Sequence, residues 1–417
     1  MVDYVDRHVR PVVEEALDEA RIVAILGARQ TGKSTLLQRV AAGHDARVTT
    51  LDDRDVRTSA AADPVAFVRQ HPSGLLAIDE IQRVPDLMLA LKQEVDRDPR
   101  PGRFLVTGSA DLVRIPTVHD SLAGRVESIN LYGFSQGELN RHRENFIDRF
   151  LAGDLFLDQY SELARSDYIE LAVAGSYPEA LARRTDKSRS RWLGDYLDRI
   201  ITRDAPEVAS LRDYGGLATV LKALAPVSSG TINTAALASR VGVTDKTMSK
   251  HLDLLRNLYL VHQLPAWYTN LAKRVVSKPK TMLLDTGLMA HMIGATTANM
   301  RPGEPYESFA GSLLETFVVG ELRRQQQWAE TPARMYHYRE HDGAEIDVIL
   351  EAPNGQVAGI EIKATTNPGH DSTKWLARLR DRLGDRFIGG LVLCSRTDVV
   401  PMGDRIALAP IDTIWRT

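Results

Sequence analysis

Residues 27–34 of the chain read GARQTGKS, a spacing of glycines, lysine and serine that can hold a chain of phosphates. Gly27 and Gly32 let the backbone between them curl so that its N–H groups face one anion. Lys33 can reach the terminal phosphate oxygens, and the Ser34 hydroxyl can ligate Mg²⁺. Ala28, Arg29, Gln30 and Thr31 span the loop, and Thr35 follows it. Cleaving a phosphate needs a further acidic element, which LLAIDE supplies: Asp79 for the Mg²⁺ shell and Glu80 to orient or deprotonate a water. Another apolar run, RFLVTGS, ends in Thr107, Gly108 and Ser109, where a hydroxyl can bridge that water and the γ-phosphate. ATP and Mg²⁺ are the ligands these residues predict.

A different constellation lies near the C-terminus. Asp347 sits in AEIDVILE; a turn at PNG follows, and AGIEIKATT then carries Glu361 and Lys363, two apart and so on one strand face. Two carboxylates and a lysine at one end of a small sheet can hold Mg²⁺ and aim a water at a phosphodiester. Glu315 lies upstream of them, in the helical stretch GSLLETFVV. The plainer reading is cross-strand ion pairing. His337 and His341 lack a third spaced ligand, which favours packing or surface roles over a zinc site.

Between these two regions, TINTAALASRVGVTDKTMSKHLDLLRNLYLV has the spacing of a helix-turn-helix. Residues 235–240 form its first helix, Gly242 its turn, and residues 245–255 its second helix, capped by Thr244. Ala238, Val243, Met248 and Leu252 are the expected shared core. Lys246, Thr247, Ser249 and Lys250 are then left outside, the small polar and basic face that a major-groove reader needs. Contact with another protein is the other use of such a module.

The elements that must position these residues follow from the apolar pattern. RIVAIL, RVTTL, LLAID, RFLVTG and ESINL alternate with helical stretches, which predicts an α/β domain with a parallel sheet over residues 1–140. Residues 141–225 read as a helical lid or linker, 226–300 as a winged helix-turn-helix, and 301–417 as a further α/β domain. At 417 residues, several domains are expected. No apolar run reaches the ~18 residues of a membrane helix, and the charged N-terminus lacks a secretory pattern. Cys394 is the only cysteine, so no intrachain disulfide forms, and a cytoplasmic location without membrane contact is expected. The formal net charge is −3, yet residues 181–280 hold 17 Lys and Arg against 8 Asp and Glu. A basic segment in an acidic chain is the footprint of a nucleic-acid module.

Taken together, GARQTGKSTLL, LLAIDEIQRVPDL, FLVTGSADL, DSLAGRVESINLYGFSQGEL, AVAGSYPEAL and WLGDYLDRIITRDAPEV resemble the AAA-type P-loop ATPases of bacteria and archaea that carry a C-terminal domain of unknown function. The Asp347, Glu361 and Lys363 pattern resembles the PD-(D/E)xK nuclease superfamily, which implies a restriction-endonuclease-like C-terminal fold with Glu315 on the helix that often adds a further carboxylate. The resemblance covers nearly the whole chain and implies ATP binding. Arg125 in SLAGR is the candidate arginine finger, offered to the γ-phosphate of a neighbouring subunit in a homo-oligomer. Gly133-Phe134 stands where the family usually has a proline, a change expected to affect the local turn alone. The leading expectation is a nucleotide-driven switch in a DNA-associated protein. An ATP-regulated, metal-dependent DNA endonuclease and a protein-interaction switch without DNA contact are the alternatives.

Overall fold

A computed structural model of the chain describes residues 4–109, 124–208, 215–340 and 343–417. The end of the SADL run, most of SLAG and His341 lie outside the described residues. The chain divides into two compact units: residues 1–134 with 257–259, and residues 135–256 with 260–417.

The first unit is built on β1 (Ile22–Leu26), β2 (Ala46–Thr50), β3 (Leu75–Asp79), β4 (Phe104–Gly108) and β5 (Val126–Asn130). They form one parallel sheet in the order β2-β3-β4-β1-β5. All five expected strands are present, each within a residue of the run that predicted it. In β1, β3 and β4 every residue is buried, while the edge strands β2 and β5 are largely open. Continuous apolar runs in the centre and mixed ones at the edges are what a sheet covered on both faces requires. Because β1, β4 and β3 run parallel, the loop after β1 and the acidic end of β3 lie at the same C-terminal edge of the strands, with the end of β4 between them. The connections following β1, β3 and β4 all leave from there, the edge where α/β sheets bind ligands.

The second unit begins with helices and contains no strand over residues 141–208. The helix Arg165–Ala174 ends at Gly175, and Ser176 donates its N–H and hydroxyl to Asp285, each at 2.7 Å. Asp285 in turn caps the helix Thr286–Ile293. The helix-turn-helix consists of Thr234–Val241 and Asp245–Asn257, with Gly242 left-handed between them at φ +76°. Thr244 accepts the N–H of Thr247 at 3.2 Å, the cap that the sequence predicts. Ala238, Met248 and Leu252 are buried as expected. Val243 is only half-buried, and Leu237, His251, Leu254 and Leu255 complete the core. Behind it, β6 (Gly230–Thr231), β7 (Val261–Leu264) and β8 (Lys280–Leu283) form a three-stranded antiparallel sheet with β8 central.

The C-terminal part carries β9 (Arg334–Arg339), β10 (Glu345–Glu351), β11 (Val357–Ile362), β12 (Phe387–Cys394), β13 (Val400–Pro401) and β14 (Ile406–Pro410). Their order is β13-β14-β12-β11-β10-β9, a six-stranded mixed sheet. The β10–β11 hairpin turns at Gly355 as PNG predicts. The helix Lys374–Leu383 lays Leu376 and Leu379 against Ile346, Ile349, Phe387 and Val392. Cys394 is buried in β12. No described helix is long and apolar enough to cross a membrane.

Candidate functional site

Strand β1 runs into the phosphate-binding motif, and the helix Lys33–Ala41 starts directly after it. Gly27 has φ +156°, and a Cβ there would stand 2.1 Å from the Leu131 carbonyl oxygen, so only glycine fits. Gly32 caps the helix in a left-handed conformation, φ +97°, and aims the first helical N–H groups back into the loop. Lys33 is buried and donates to the carbonyls of Gly27 and Ala28 at 3.0 and 2.8 Å, so its ammonium lies across the loop it follows. Thr31 ties its hydroxyl to the Ala28 carbonyl at 3.0 Å.

Ser34 donates to Asp79 Oδ1 at 2.9 Å, joining the loop to the end of β3. Thr107, at the end of β4, donates to the same oxygen at 2.6 Å, and Thr50 reaches Asp79 Oδ2 at 3.3 Å. A hydroxyl and a carboxylate at hydrogen-bond distance form a hard-oxygen pair suited to Mg²⁺. With the adjacent ammonium and loop N–H groups, the donor set fits a magnesium-bound triphosphate.

Glu80 has left-handed backbone, φ +58°, uncommon for a residue with a side chain and typical of functional sites. The neighbouring strand holds that turn: the Glu80 N–H donates to Thr107 Oγ1 at 3.0 Å. Gln82 bonds the Glu80 carboxylate with Nε2 and also donates to Ser109 Oγ at 2.8 Å. Glu80 and Ser109 are thereby brought to one place. Arg125 pairs with Asp96 at 2.6 Å. That contact holds the Asp96 carboxyl below its ordinary range, through the hydrogen bond from Arg125.

Several residues here escape a reading of the motifs. Arg7 donates to the Thr31 carbonyl at 2.7 Å and to the carbonyls of Tyr132 and Gly133 at 2.7 and 3.3 Å, and its guanidinium lies over the Phe134 ring. Gly133-Phe134 therefore does more than shape a turn, since both residues help hold the arginine that braces the loop. Thr50, and Gln82 inside LLAIDEIQRVPDL, likewise have no role that the motifs assign.

In the second unit, Glu315, Asp347, Glu361 and Lys363 lie in one neighbourhood, with an addition. Lys280 of β8 reaches Glu315, Glu345 and Asp347 at 2.7, 2.9 and 3.0 Å. Lys363 pairs with Glu361 at 2.6 Å, and Asp347 Oδ2 accepts the Ile362 N–H at 2.9 Å. Glu315 and Glu361 are pushed above the carboxylate range by burial and by the facing Asp347 charge. Burial alone would lower the Lys280 pKa, but Asp347, Glu315 and Glu345 raise it. Among the described residues no group of three or more His, Cys, Asp or Glu side chains is disposed to hold a metal ion. His337 is a packing residue: burial and the Lys280 charge press its pKa down to about 4, and its Nε2 donates to the Lys278 carbonyl at 3.1 Å. On the helix-turn-helix, Lys246, Ser249 and Lys250 are exposed and Thr247 is partly so.

Residues 19–140 match the AAA domain family, residues 165–299 a domain of unknown function (DUF8612), and residues 310–414 another domain of unknown function (DUF4143). An uncharacterized protein of Mycobacterium tuberculosis is 28% identical over 97% of this chain and 83% of its own length. An uncharacterized protein of Haemophilus influenzae is 26% identical over 53% of each. Among solved structures, a Walker-type ATPase of Pyrococcus abyssi is similar at 14% identity, TM-score 0.40, covering 70% of this chain and 96% of that one.

Proposed function

Because residues 19–140 form an AAA-type P-loop ATPase domain, we propose that the chain binds ATP with Mg²⁺, hydrolyses it slowly, and uses the nucleotide state to switch a DNA-associated second unit. The cluster of Ser34, Asp79 and Thr107 carries this reading, since it joins the phosphate loop and two strand ends at one point. Lys33 and the loop N–H groups bind and orient the phosphates. Mg²⁺, when bound, would be held by Ser34 and Asp79 and would neutralise charge on the phosphate oxygens. Glu80, fixed by its strained backbone and by Gln82, takes the proton of the attacking water, and Ser109 aligns that water. Arg125 is offered to the nucleotide of a second copy of the chain.

The association with DNA is supported by the basic segment 181–280 and by the exposed Lys246, Ser249 and Lys250 on one helix. The β7–β8 hairpin takes the place of a wing beside that helix, and the C-terminal sheet is read as restriction-endonuclease-like. Cleavage is disfavoured, because an ammonium already stands among the carboxylates that would hold the metal.

Nucleotide binding and steady-state hydrolysis of Lys33→Ala and Glu80→Gln test the proposal. Lys33→Ala should lose most ATP affinity, and Glu80→Gln should bind normally while hydrolysing far more slowly. Equal ATP binding by wild type and Lys33→Ala would sink the assignment.

A further inference from the structure

Lys280 lies on β8, the middle strand of the small sheet behind the helix-turn-helix, in register with Thr231 and Leu264. Its side chain belongs chemically to the C-terminal sheet. It is 1% exposed, and its three ammonium donors meet carboxylates from two elements: Glu315 of the helix Ala310–Gln325, and Glu345 and Asp347 of β10. Three donors on three acceptors exhaust what an ammonium can offer. Nearby, Glu361 of β11 gives Oε1 to Lys363 and keeps Oε2 buried without a hydrogen-bond partner.

We propose that Lys280 is an internal counter-cation that fills this carboxylate cluster and closes it to divalent metal ions while β8 is docked. A divalent ion needs oxygen ligands, one or more of them carboxylates, turned on it at about 2.0–2.6 Å. The Asp347 and Glu315 oxygens that would serve are turned on Nζ instead. The lysine cannot step aside within the site, because burial away from water leaves its charge no other partner. Nor can it give up its proton, since three carboxylates hold it charged.

The docking of the strand follows from the same neighbourhood. Just before β8, the Lys278 carbonyl takes the His337 Nε2 hydrogen bond from β9. Residues after β7 pair with that strand: the His337 N–H donates to the Pro265 carbonyl at 2.9 Å, and the Trp267 N–H to the His337 carbonyl at 2.6 Å. Arg274 forms a two-point pair with Glu351 of β10 at 2.6 and 2.8 Å. The hairpin of the helix-turn-helix and the carboxylate cluster are therefore one mechanical element, and moving the hairpin withdraws the cation. The inference stands apart from the ATP reading, as it concerns only the second unit.

Mn²⁺ binding to the full nucleotide-free chain, followed by electron paramagnetic resonance of free and bound Mn²⁺, tests it in wild type, Lys280→Met and Lys280→Met/Asp347→Asn. The apparent affinity of a closed site is reduced by the fraction of time it is open. Lys280→Met should therefore gain a Mn²⁺ site more than about tenfold tighter than anything at this cluster in wild type. The double variant should lose that site again, which separates it from metal held at Ser34 and Asp79. A folded Lys280→Met with no gain overturns the proposal, as does Asp347-dependent Mn²⁺ binding of similar strength in wild type. If Lys280→Met does not fold, Lys280→Met/Glu345→Gln, which removes one carboxylate with the amine, is judged by the same two outcomes.

Discussion

The hydroxyl of Thr107 donates to the Asp79 carboxylate at 2.6 Å and at the same time accepts the N–H of Glu80 at 3.0 Å. One side chain at the end of β4 thus sets both acidic residues at the end of β3. Hydrogen bonds to charged groups contribute roughly 1.5–3 kcal/mol each. Thr107→Val should leave the sheet folded, because the change keeps shape and volume, but should release Glu80 from its left-handed turn. The expected result is hydrolysis slowed by about tenfold or more, with a smaller change in ATP affinity. Parallel measurement of nucleotide binding and turnover checks this; an unchanged rate would show that Glu80 needs no such brace.

Arg125 and Asp96 form an exposed pair, of little weight for stability. If Arg125 acts as a finger in trans, Arg125→Ala should bind ATP normally and lose hydrolysis by on the order of 10³-fold. Mixing it with Lys33→Ala should restore part of the activity, since each variant supplies what the other lacks. Sedimentation at micromolar concentration completes the test, because a strictly monomeric chain has no neighbour to receive the finger.

The basic face of the helix Asp245–Asn257 leads to a salt test. Lys246→Ala with Lys250→Ala should weaken binding of duplex DNA without unfolding the helix, since both side chains point to solvent. Each lost phosphate contact should reduce the slope of log affinity against log salt by about 0.9. Binding that is equal at low and moderate salt, or absent at both, would favour contact with a protein.

Glu321 offers a pH test of the second unit. Its carboxylate is buried, accepts the Gln136 N–H at 2.9 Å and the Arg324 guanidinium at 3.1 Å, and is raised to about 7, chiefly by burial. A carboxyl with a raised folded-state pKa binds more protons folded than unfolded. The stability it contributes is complete below its ordinary value of 4.5 and is lost as pH rises through about 7. Thermal unfolding of wild type should therefore fall in this window more steeply than that of Glu321→Gln. Glu315 and Glu361 titrate with the same sign in both proteins, so the difference between the two curves isolates Glu321. Parallel curves would show that Glu321 does not titrate there.

What the chain declares by itself is what is local along it. The strand, loop and helix around Gly27–Ser34, the acidic end of β3, the capped turn of the helix-turn-helix and the PNG hairpin are each written in a few neighbouring residues. Their backbone hydrogen bonds and dihedral preferences are settled over that distance. Tertiary structure decided the rest. Arg7 braces a loop 24 residues away, and Lys280 meets Glu315 and Asp347 across 35 and 67 residues. No spacing rule links such pairs, because a long side chain finds its partner only after the sheets have packed. The acidic residues of the C-terminal strands were legible as a cluster, since alternation along a strand fixes their face. That a second cation, Lys280, stands among them was not, because it arrives on β8, an element of another sheet, and burial then leaves its charge no other place to go.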